Sequence, residues 1–178
     1  KHGEGVPETT QNPLGNQLGG LAFESAQIAL WNRRLGAILY AVQLHLLGQP
    51  RLLTLGGSQP LLGYGALVLA WLALHGRVEN LPSRVRLARA LWPDEEDDQA
   101  RRRLTNALYR LKRDFPELEA HLIGDANTIG LKGIRVDTTE FEQKIRQPDP
   151  SGWASALELY SGDLLQDHDA PWLEEWRT

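Results

Sequence analysis

Apolar residues change their spacing several times along the chain, and each change predicts a different element. Residues 1–20 contain few large apolar side chains and many Gly, Pro, Asn and Thr residues. Such a composition buries too little surface to offset the entropy of ordering, so we predict a disordered tail. From Leu21 onwards apolar residues follow at intervals of three, four and seven, with Ile28 and Trp31 among them. This spacing predicts an amphipathic helix of unassigned role over residues 21–41.

Short leucine-rich runs bounded by Gly and Pro come next, in the order "VQLHLLG", "RLLTLGG" and "SQPLL". These runs predict a small antiparallel sheet. The stretch Gly63–Gly76, "GYGALVLAWLALHG", is apolar nearly all round. It predicts a mostly buried helix that Gly76 closes in the left-handed conformation. The segment "PSRVRLARALWP" predicts a second, shorter helix, which Ser83 caps and Pro93 ends.

The segment "DDQARRRLTNALYRLKRDF", residues 97–115, predicts a third and longer helix with two different faces. One face is apolar and enters the core: Ala100, Leu104, Ala107, Leu108, Leu111 and Phe115. The opposite face is polar and basic: Arg102, Asn106, Tyr109 and Arg113. Further polar residues lie beside it: Arg101, Arg103, Thr105, Arg110 and Lys112. The acidic run "DEEDD" precedes the helix and opposes the positive end of its dipole, with Asp94 as the predicted N-cap.

The C-terminal part predicts a hairpin and then more helices. "HLIGDANTIGL", His121–Leu131, has two apolar arms around a polar Asp-Ala-Asn turn, which is the pattern of a β-hairpin. "DTTEFEQKI" and "SGWASALELYSGDLL" predict two amphipathic helices within residues 138–178. The predicted fold class is therefore α+β and mainly helical. Residues 42–137 are predicted to form a winged helix-turn-helix, with a small N-terminal antiparallel sheet, three helices and a C-terminal β-hairpin wing.

Charge is distributed unevenly over the chain. The 178 residues carry a formal net charge of −4, yet the stretch from Gln99 to Arg113 contains six Lys and Arg residues and no Asp or Glu. Many surface helices have a charged outer face only because solvent is there, but they usually mix acids with bases at i,i+4. The segregation here favours an anionic partner. Arg and Asn can pair bidentately with guanine and adenine, and Thr or Tyr can contact a thymine methyl group or a phosphate.

Candidate contacts outside the third helix rest on weaker patterns. In the predicted hairpin, Asn127 and Lys132 are the polar residues placed to touch DNA, although such residues also serve turn chemistry. Four arginines ahead of the third helix are candidates for phosphate binding or are ordinary surface charges: Arg77, Arg84, Arg86 and Arg89. The overall acidity argues against a general nucleic-acid coat, because such a protein needs many phosphate-neutralising cations.

Composition and spacing argue against an enzyme, a metal site and a membrane span. There is no cysteine, and the five histidines show no metal-binding spacing. The group Asp163, Asp167, His168 and Asp169 predicts a capped turn between helices rather than a metal site. We predict no catalytic residue and no cofactor. The longest apolar stretches are far shorter than the ~20 residues of a membrane helix. The chain has no methionine, which indicates processing, a fragment or missing residues.

Several of these segments together resemble one protein family. The runs "QLHLLGQPRL", "GGSQPL", "LAWLALHGRV", "LARALWPDEEDDQARRRLTNALYRLKRDFPE", "GDANTIGL" and "VDTTEFE" resemble the N-terminal DNA-binding half of the SARP-type bacterial transcriptional activators. The winged helix of that family is similar to that of the OmpR-type response regulators. "LYSGDLLQDHDAPWLEEWR" resembles the start of the helical, TPR-like bacterial transcriptional activation domain (BTAD) that follows. The resemblance covers about residues 42–178.

The resemblance implies a regulator in the bacterial cytoplasm that binds direct-repeat promoter DNA and helps to recruit RNA polymerase. The C-terminal helical domain would support a homodimer on DNA. The polar face of the third helix corresponds to the groove-reading surface, and Asn127 lies in the wing. The first helix starts with "GYG", where family members commonly have basic residues, and the activation domain stops after little more than one helical pair. We therefore expect no activation of transcription by this chain unaided.

Two alternatives stay open beside a DNA-binding regulator. The winged fold can be retained in a protein-interaction module, whose basic helix docks on an acidic partner surface. The chain can also be the DNA-binding fragment of a larger multidomain regulator, without activating ability of its own. Salt dependence separates the first alternative from DNA binding, since binding through several phosphates weakens steeply and log-linearly with salt.

Overall fold

The computed structural model describes residues 42–76, 78–147 and 149–177. The predicted tail over residues 1–20, the predicted helix over residues 21–41 and Arg77 lie outside the described residues.

The described elements alternate between short strands and helices. The strands are β1 (Gln43–His45), β2 (Arg51–Thr54), β3 (Gly57–Pro60), β4 (Leu122–Gly124), β5 (Ile129–Leu131) and β6 (Arg135–Val136). The α-helices are α1 (Gly63–His75), α2 (Arg84–Leu91), α3 (Asp97–Asp114), α4 (Asp137–Ile145), α5 (Pro150–Leu159) and α6 (Glu174–Arg177). Short 3-10 helices span Pro116–Ala120 and Pro171–Leu173. The fold is α+β with two small sheets, as the sequence predicts.

The predicted N-terminal sheet is present and has one strand more than expected. Strands β1, β2 and β3 pair antiparallel in the predicted order, with Leu44 opposite Leu52. Strand β6 adds to the other edge of β1 in parallel, so that Leu44 also lies opposite Val136. Leu44 and Leu52 are buried, and this burial fixes which face of the sheet covers the core. Strand β6 has only two residues, too few for an alternating pattern to reveal it in the sequence.

Helix α1 is the mostly buried helix that the apolar pattern predicts. Every residue from Ala66 to Leu72 is buried, and both α2 and α3 pack against this helix. The prediction that Gly76 closes α1 in the left-handed conformation is wrong, since its φ is −91°. Glycine is required there because a Cβ would lie 2.6 Å from the carbonyl oxygen of Leu72. Among the described residues, no helix is long and apolar enough to cross a membrane.

The two capping predictions for α2 and α3 have different outcomes. Ser83 caps α2 as predicted, since its Oγ accepts a hydrogen bond at 3.2 Å from the amide three residues on. The prediction that Asp94 caps α3 is wrong: the N-cap residue is Glu96, whose side chain makes no capping hydrogen bond. The turn before α3 therefore continues two residues beyond the predicted cap. Asp97 instead supplies negative charge in the first turn, where the helix dipole favours it.

The predicted β-hairpin is confirmed, and it is fastened to α2. Strands β4 and β5 pair antiparallel, with Gly124 opposite Ile129. Gly124 has φ +136° and leaves no room for a Cβ against the opposite strand, so glycine is needed at this end of β4. The Arg84 amide donates to the Asn127 carbonyl at 2.8 Å, and the Ile129 amide donates to the Pro82 carbonyl at 3.0 Å. These bonds hold the hairpin against the start of α2.

The two predicted C-terminal helices are present as α4 and α5, which pack on each other. Helix α5 ends at Leu159, earlier than the apolar pattern suggests, and a loop follows. That loop returns to the first sheet, where Leu164 forms an isolated β-bridge with Leu47. One cluster of buried apolar side chains includes residues from Val42 to Leu173. The domain boundary predicted after residue 137 stays a prediction.

Asp137 connects the start of α4 to the first sheet. Its carboxylate is buried and accepts hydrogen bonds from the amides of Leu46, Leu47 and Thr138 at 2.8 to 3.0 Å. A buried carboxylate is costly unless such bonds satisfy it, and here they replace water. His45 lies 3.8 Å away, and burial lowers the pKa of its imidazole. The junction is therefore held by one side chain of α4.

Candidate nucleic-acid interface

Helix α3 presents the two faces that its sequence predicts. The inner face is buried at Ala100, Leu104, Leu108, Leu111 and the C-cap residue Phe115, while Ala107 at its margin is partly buried. The opposite side chains are all exposed: Arg102, Asn106, Tyr109 and Arg113. We call these four residues the outer face of α3. Tyr109 is 68 % exposed although it is aromatic, so no neighbour within the described chain covers it.

The other polar residues predicted on α3 lie along the edges of the outer face. Thr105 and Lys112 line a cleft between α3 and the hairpin. Arg103 and Arg110 line a groove on the opposite edge, toward the start of α1. Arg101 lies near the beginning of the helix, beside the outer face. The structure therefore brings all the predicted α3 residues onto one continuous exposed surface.

Acidic side chains pair with only some of the cations of α3. Three ion pairs join the helix to acids near its ends: Arg103–Glu95 at 2.8 Å, Lys112–Glu119 at 3.7 Å and Arg113–Asp114 at 2.8 Å. Within the described part of the chain, Arg101, Arg102 and Arg110 form no ion pair. Ion pairs between exposed side chains are weak and screened by salt. The paired cations are therefore able to exchange their partners for a polyanion.

Arg89 belongs to the scaffold rather than to this surface. Its guanidinium donates two hydrogen bonds to the Asp97 carboxylate, at 2.8 and 2.6 Å. These bonds tie α2 to the first turn of α3, and they hold the pKa of Asp97 below its ordinary value. A bidentate pair of this kind fixes geometry as well as charge. Arg89 therefore contacts the first turn of α3 and is already paired with an acid.

The cleft between α3 and the hairpin, which we call the wing cleft, combines cationic and hydroxyl side chains with apolar ones. Arg84 and Lys112 supply cations to its walls, and Thr105 and Tyr109 supply hydroxyl groups. Its floor includes apolar side chains such as Leu108. Phosphate oxygens in protein–DNA complexes are bound by Arg, Lys, Thr and Tyr side chains of this kind. The wing cleft therefore suits a sugar–phosphate backbone.

The hairpin turn fixes the position of Arg84. Its Nε donates to the carbonyl oxygen of Asp125 at 3.0 Å. The Asp125 carboxylate accepts bonds from the amides of Asn127 and Thr128, both at 2.7 Å. These backbone bonds, with one from the Thr128 hydroxyl, lower the pKa of Asp125. Since Nε is one of five donors on a guanidinium, the terminal nitrogens of Arg84 remain able to bind a phosphate.

Two of the predicted contacts lie apart from this surface. The guanidinium carbon of Arg86 lies 5.9 Å from the ring centroid of Trp71, on the side of α2 that faces α1. Lys132 lies at the open end of the hairpin, where its amide donates to the His121 carbonyl at 2.9 Å. Asn127 lies in the turn at the other end and is exposed. None of these three residues lines the wing cleft, although the Asn127 carbonyl accepts a hydrogen bond from the amide of Arg84, which does.

Sequence reasoning missed two contributors to the interface. The first is Asp125, whose signal is its place at the start of a turn, where an Asp side chain bonds amides two and three residues on. The second is Tyr64 at the start of α1, which lines the same groove as Arg110. Its ring centroid lies 4.8 Å from that of Trp92. No local pattern reveals this second contributor, because these residues meet only through the packing of α1 against α3.

Within residues 42–76, 78–147 and 149–177, no group of three or more His, Asp or Glu side chains could hold a metal ion. The residues predicted as a capped turn lie in the loop after α5. There the Tyr160 hydroxyl donates to the Asp163 carboxylate at 2.8 Å, and Asp167 has a left-handed φ of 67°.

Comparison with solved structures identifies a protein of the same fold. The chain is similar to Mycobacterium tuberculosis EmbR, solved in complex with a low affinity phosphopeptide, with a TM-score of 0.62 and 18 % sequence identity. The match covers 77 % of this chain and 41 % of the EmbR chain, so this chain spans less than half the length of that protein. No family model and no curated protein match the sequence. At this identity the likeness shows that the two proteins share a fold.

Proposed function

We propose that this chain is a sequence-specific DNA-binding transcriptional regulator of the bacterial SARP type. The outer face of α3 enters the major groove of double-stranded DNA, and the hairpin reaches the adjacent backbone or minor groove. The observation that carries the proposal is a set of three α3 cations without an ion-pair partner in the described part of the chain: Arg101, Arg102 and Arg110. Asn106 and Tyr109 are exposed on the same surface.

The chemistry of the outer face matches base edges. Arg102 and Arg113 can each donate two bonds to guanine, and Asn106 can both donate to and accept from adenine. Tyr109 offers a ring for a thymine methyl group and a hydroxyl for a phosphate. Each good bidentate contact supplies about 1–3 kcal/mol of discrimination against the wrong base. Arg101, Arg103, Thr105, Arg110 and Lys112 flank these readers and hold the backbone.

The shared fold with EmbR and the resemblance of residues 42–178 to the SARP activators support the proposal. A cytoplasmic regulator of this type binds direct-repeat promoter DNA as a homodimer and contacts RNA polymerase, and we include these partners in the proposal. A catalytic role and a cofactor form no part of it.

A protein-interaction module is the rival function, and one observation favours it. The groove between α3 and the start of α1 has apolar walls, and Leu62 beside it is 77 % exposed. A docking surface for protein needs such an apolar patch, whereas a phosphate-binding surface does not. The two functions differ in their salt dependence, because only DNA binding releases many counterions.

The proposal is tested by fluorescence anisotropy of the 178-residue chain against a pool of random duplexes at two salt concentrations. The bound fraction is recovered and sequenced. We expect affinity to fall log-linearly with salt, with a slope of about −0.9 per neutralised phosphate, and one repeated motif to be enriched. Absence of binding at low salt would overturn the proposal. Salt-insensitive binding of a protein partner would establish the rival function.

A further inference from the structure

We propose that a second copy of this chain docks, about a two-fold axis, on the exposed ridge formed by Leu62 and Tyr64. The ridge lies where β3 ends and α1 begins. Leu62 is 77 % exposed and Tyr64 is 45 % exposed, so two large side chains stand in solvent next to each other. Two grooves border this ridge, one on each side, and their rims carry opposite charges.

The basic groove lies between the ridge and α3. Its floor includes Leu111 and Phe115, and its far rim carries Arg103, Arg110 and the ion pair Arg113–Asp114, so its net charge is positive. Arg110 forms no ion pair within the described residues. Trp92 also lines this groove and is 5 % exposed, yet its indole Nε1 has no hydrogen-bond partner.

The acidic groove lies on the other side of the ridge, between α1 and the loop before the second 3-10 helix. Its floor includes the buried side chains Leu67 and Leu91. Its rim carries Asp94, Asp167 and Asp169, which are exposed and form no ion pair within the described residues. This rim repels DNA and attracts a basic surface.

The shared ridge makes the two grooves complementary to a second copy. Leu62 and Tyr64 line both grooves. A two-fold axis that runs along the ridge places the basic groove of each copy over the acidic groove of the other. An isologous interface of this kind satisfies both sets of charges at once and buries the two ridges against each other. A purely acidic or purely basic partner would face like charge in one groove, so a second copy is the better occupant.

One consequence rests on the proposed function. Arg103 and Arg110 flank the outer face of α3, where they would also bind the DNA backbone. The second copy and the duplex therefore compete for these two cations. Dimerisation through the ridge is expected to hold the chain off DNA, and a duplex is expected to dissociate this ridge dimer. Two copies on a direct repeat follow each other head to tail and are not related by a two-fold axis, so the homodimer of the proposed function uses other contacts.

Sedimentation velocity of the full chain tests the interface directly. We expect a reversible monomer–dimer equilibrium below about 100 μM, weakened by salt. Leu62→Ser is expected to weaken association at least tenfold. Serine is favourable at the N-cap position that Leu62 occupies, so the variant should fold. Leu55→Ser is the matched control, since Leu55 is 82 % exposed and lies away from both grooves.

A charge exchange identifies the partner surfaces. Arg110→Glu alone and the double variant D94K/D169K alone are each expected to stay monomeric where the unchanged chain dimerises. Their equimolar mixture is expected to form a heterodimer. In it, Glu replacing Arg110 in one copy faces the two new lysines of the other copy, and the unchanged acidic groove of the first copy faces the unchanged basic groove of the second. The interface is overturned if the unchanged chain is monomeric throughout, if these variants all dimerise normally, or if mixing restores nothing.

A duplex titration of D94N/D169N separates this inference from the proposed function. This variant leaves α3 unchanged, so we expect it to bind DNA at least as tightly as the unchanged chain. If the dimer behaves as expected and neither protein binds DNA, the proposed function fails and the interface stands. If both proteins bind DNA and no dimer forms in the absence of DNA, the ridge interface fails and the proposed function stands.

Discussion

The inner and outer faces of α3 belong to one helix, yet they differ in polarity and in solvent exposure. The inner face is apolar, and Leu104 on it is 1 % exposed. The outer face is polar, and Asn106 two residues later is exposed. A helical period of 3.6 residues is what allows this separation within a single segment. Stability and recognition are therefore carried by different residues, and substitutions on the two faces should change different measurements.

The largest expected effect is on the inner face. Replacing Leu104 by Ala removes a buried side chain and leaves a cavity, which costs about 2–5 kcal/mol in the free energy of unfolding. This is a large part of the ~5–15 kcal/mol of a typical domain. Urea denaturation measures it. Thr105→Ala, at the exposed neighbouring position, is the control and should leave stability nearly unchanged.

On the outer face, Asn106→Ala and Arg102→Ala should leave the free energy of unfolding unchanged and reduce sequence discrimination. Each is expected to lose about 1–3 kcal/mol between the selected motif and a random duplex. Anisotropy titrations on both duplexes measure the difference. Equal losses on the two duplexes would show that these side chains do not read bases.

In the wing cleft, Arg84→Ala should weaken binding to all sequences alike, because phosphate contacts carry no sequence information. The slope of log affinity against log salt should become shallower by about 0.9. Arg146→Ala is a matched control, since Arg146 is an exposed arginine that pairs with Glu142 beyond the interface. An unchanged slope for Arg84→Ala would remove the wing cleft from the DNA contact.

The smallest expected effect is a loosening of the hairpin turn at low pH. Hydrogen bonds from the backbone amides of Asn127 and Thr128 lower the pKa of the Asp125 carboxyl group in the folded protein. The Asp125 carboxylate therefore stabilises the folded hairpin turn fully above its unfolded-state pKa of about 4. This stabilisation is lost as the pH falls through the lower pKa of the folded state. The NMR shifts of the Asn127 and Thr128 amides should follow this titration. In Asp125→Asn the titration should be absent, and a titration that persists would assign it to another group.

Sequence patterns predict the parts of this fold that depend on local periodicity. The spacing of apolar residues predicts the two faces of α3, and the polar turn between two apolar arms predicts the hairpin. The structure confirms both predictions. Strand β6 and the groove beside Tyr64 depend on contacts between segments that are distant in the sequence, and no local pattern predicts them. The predictions that Asp94 caps α3 and that Gly76 is left-handed are wrong for a related reason. Side-chain type suggests a cap, but the path of the chain between helices decides which residue occupies it.

The candidate site divides in the same way. The exposure of Arg102, Asn106, Tyr109 and Arg113 follows from the helical pattern alone. The place of Arg84 in the wing cleft does not, because it depends on the bond that its guanidinium makes to Asp125. Arg86 shows the limit of composition as a guide, since it neighbours Arg84 in sequence but lies over Trp71. Basic residues close in sequence can thus serve different surfaces.

Selection and sequencing of duplexes bound by the unchanged chain and by Asn106→Ala is the most direct measurement of DNA reading by α3. Both proteins should enrich duplexes at low salt. If Asn106 reads a base, the two motifs will agree except at one position in each half-site, where the preference is lost in the variant. Identical motifs from the two proteins, or no motif from either, would contradict sequence reading by the outer face of α3.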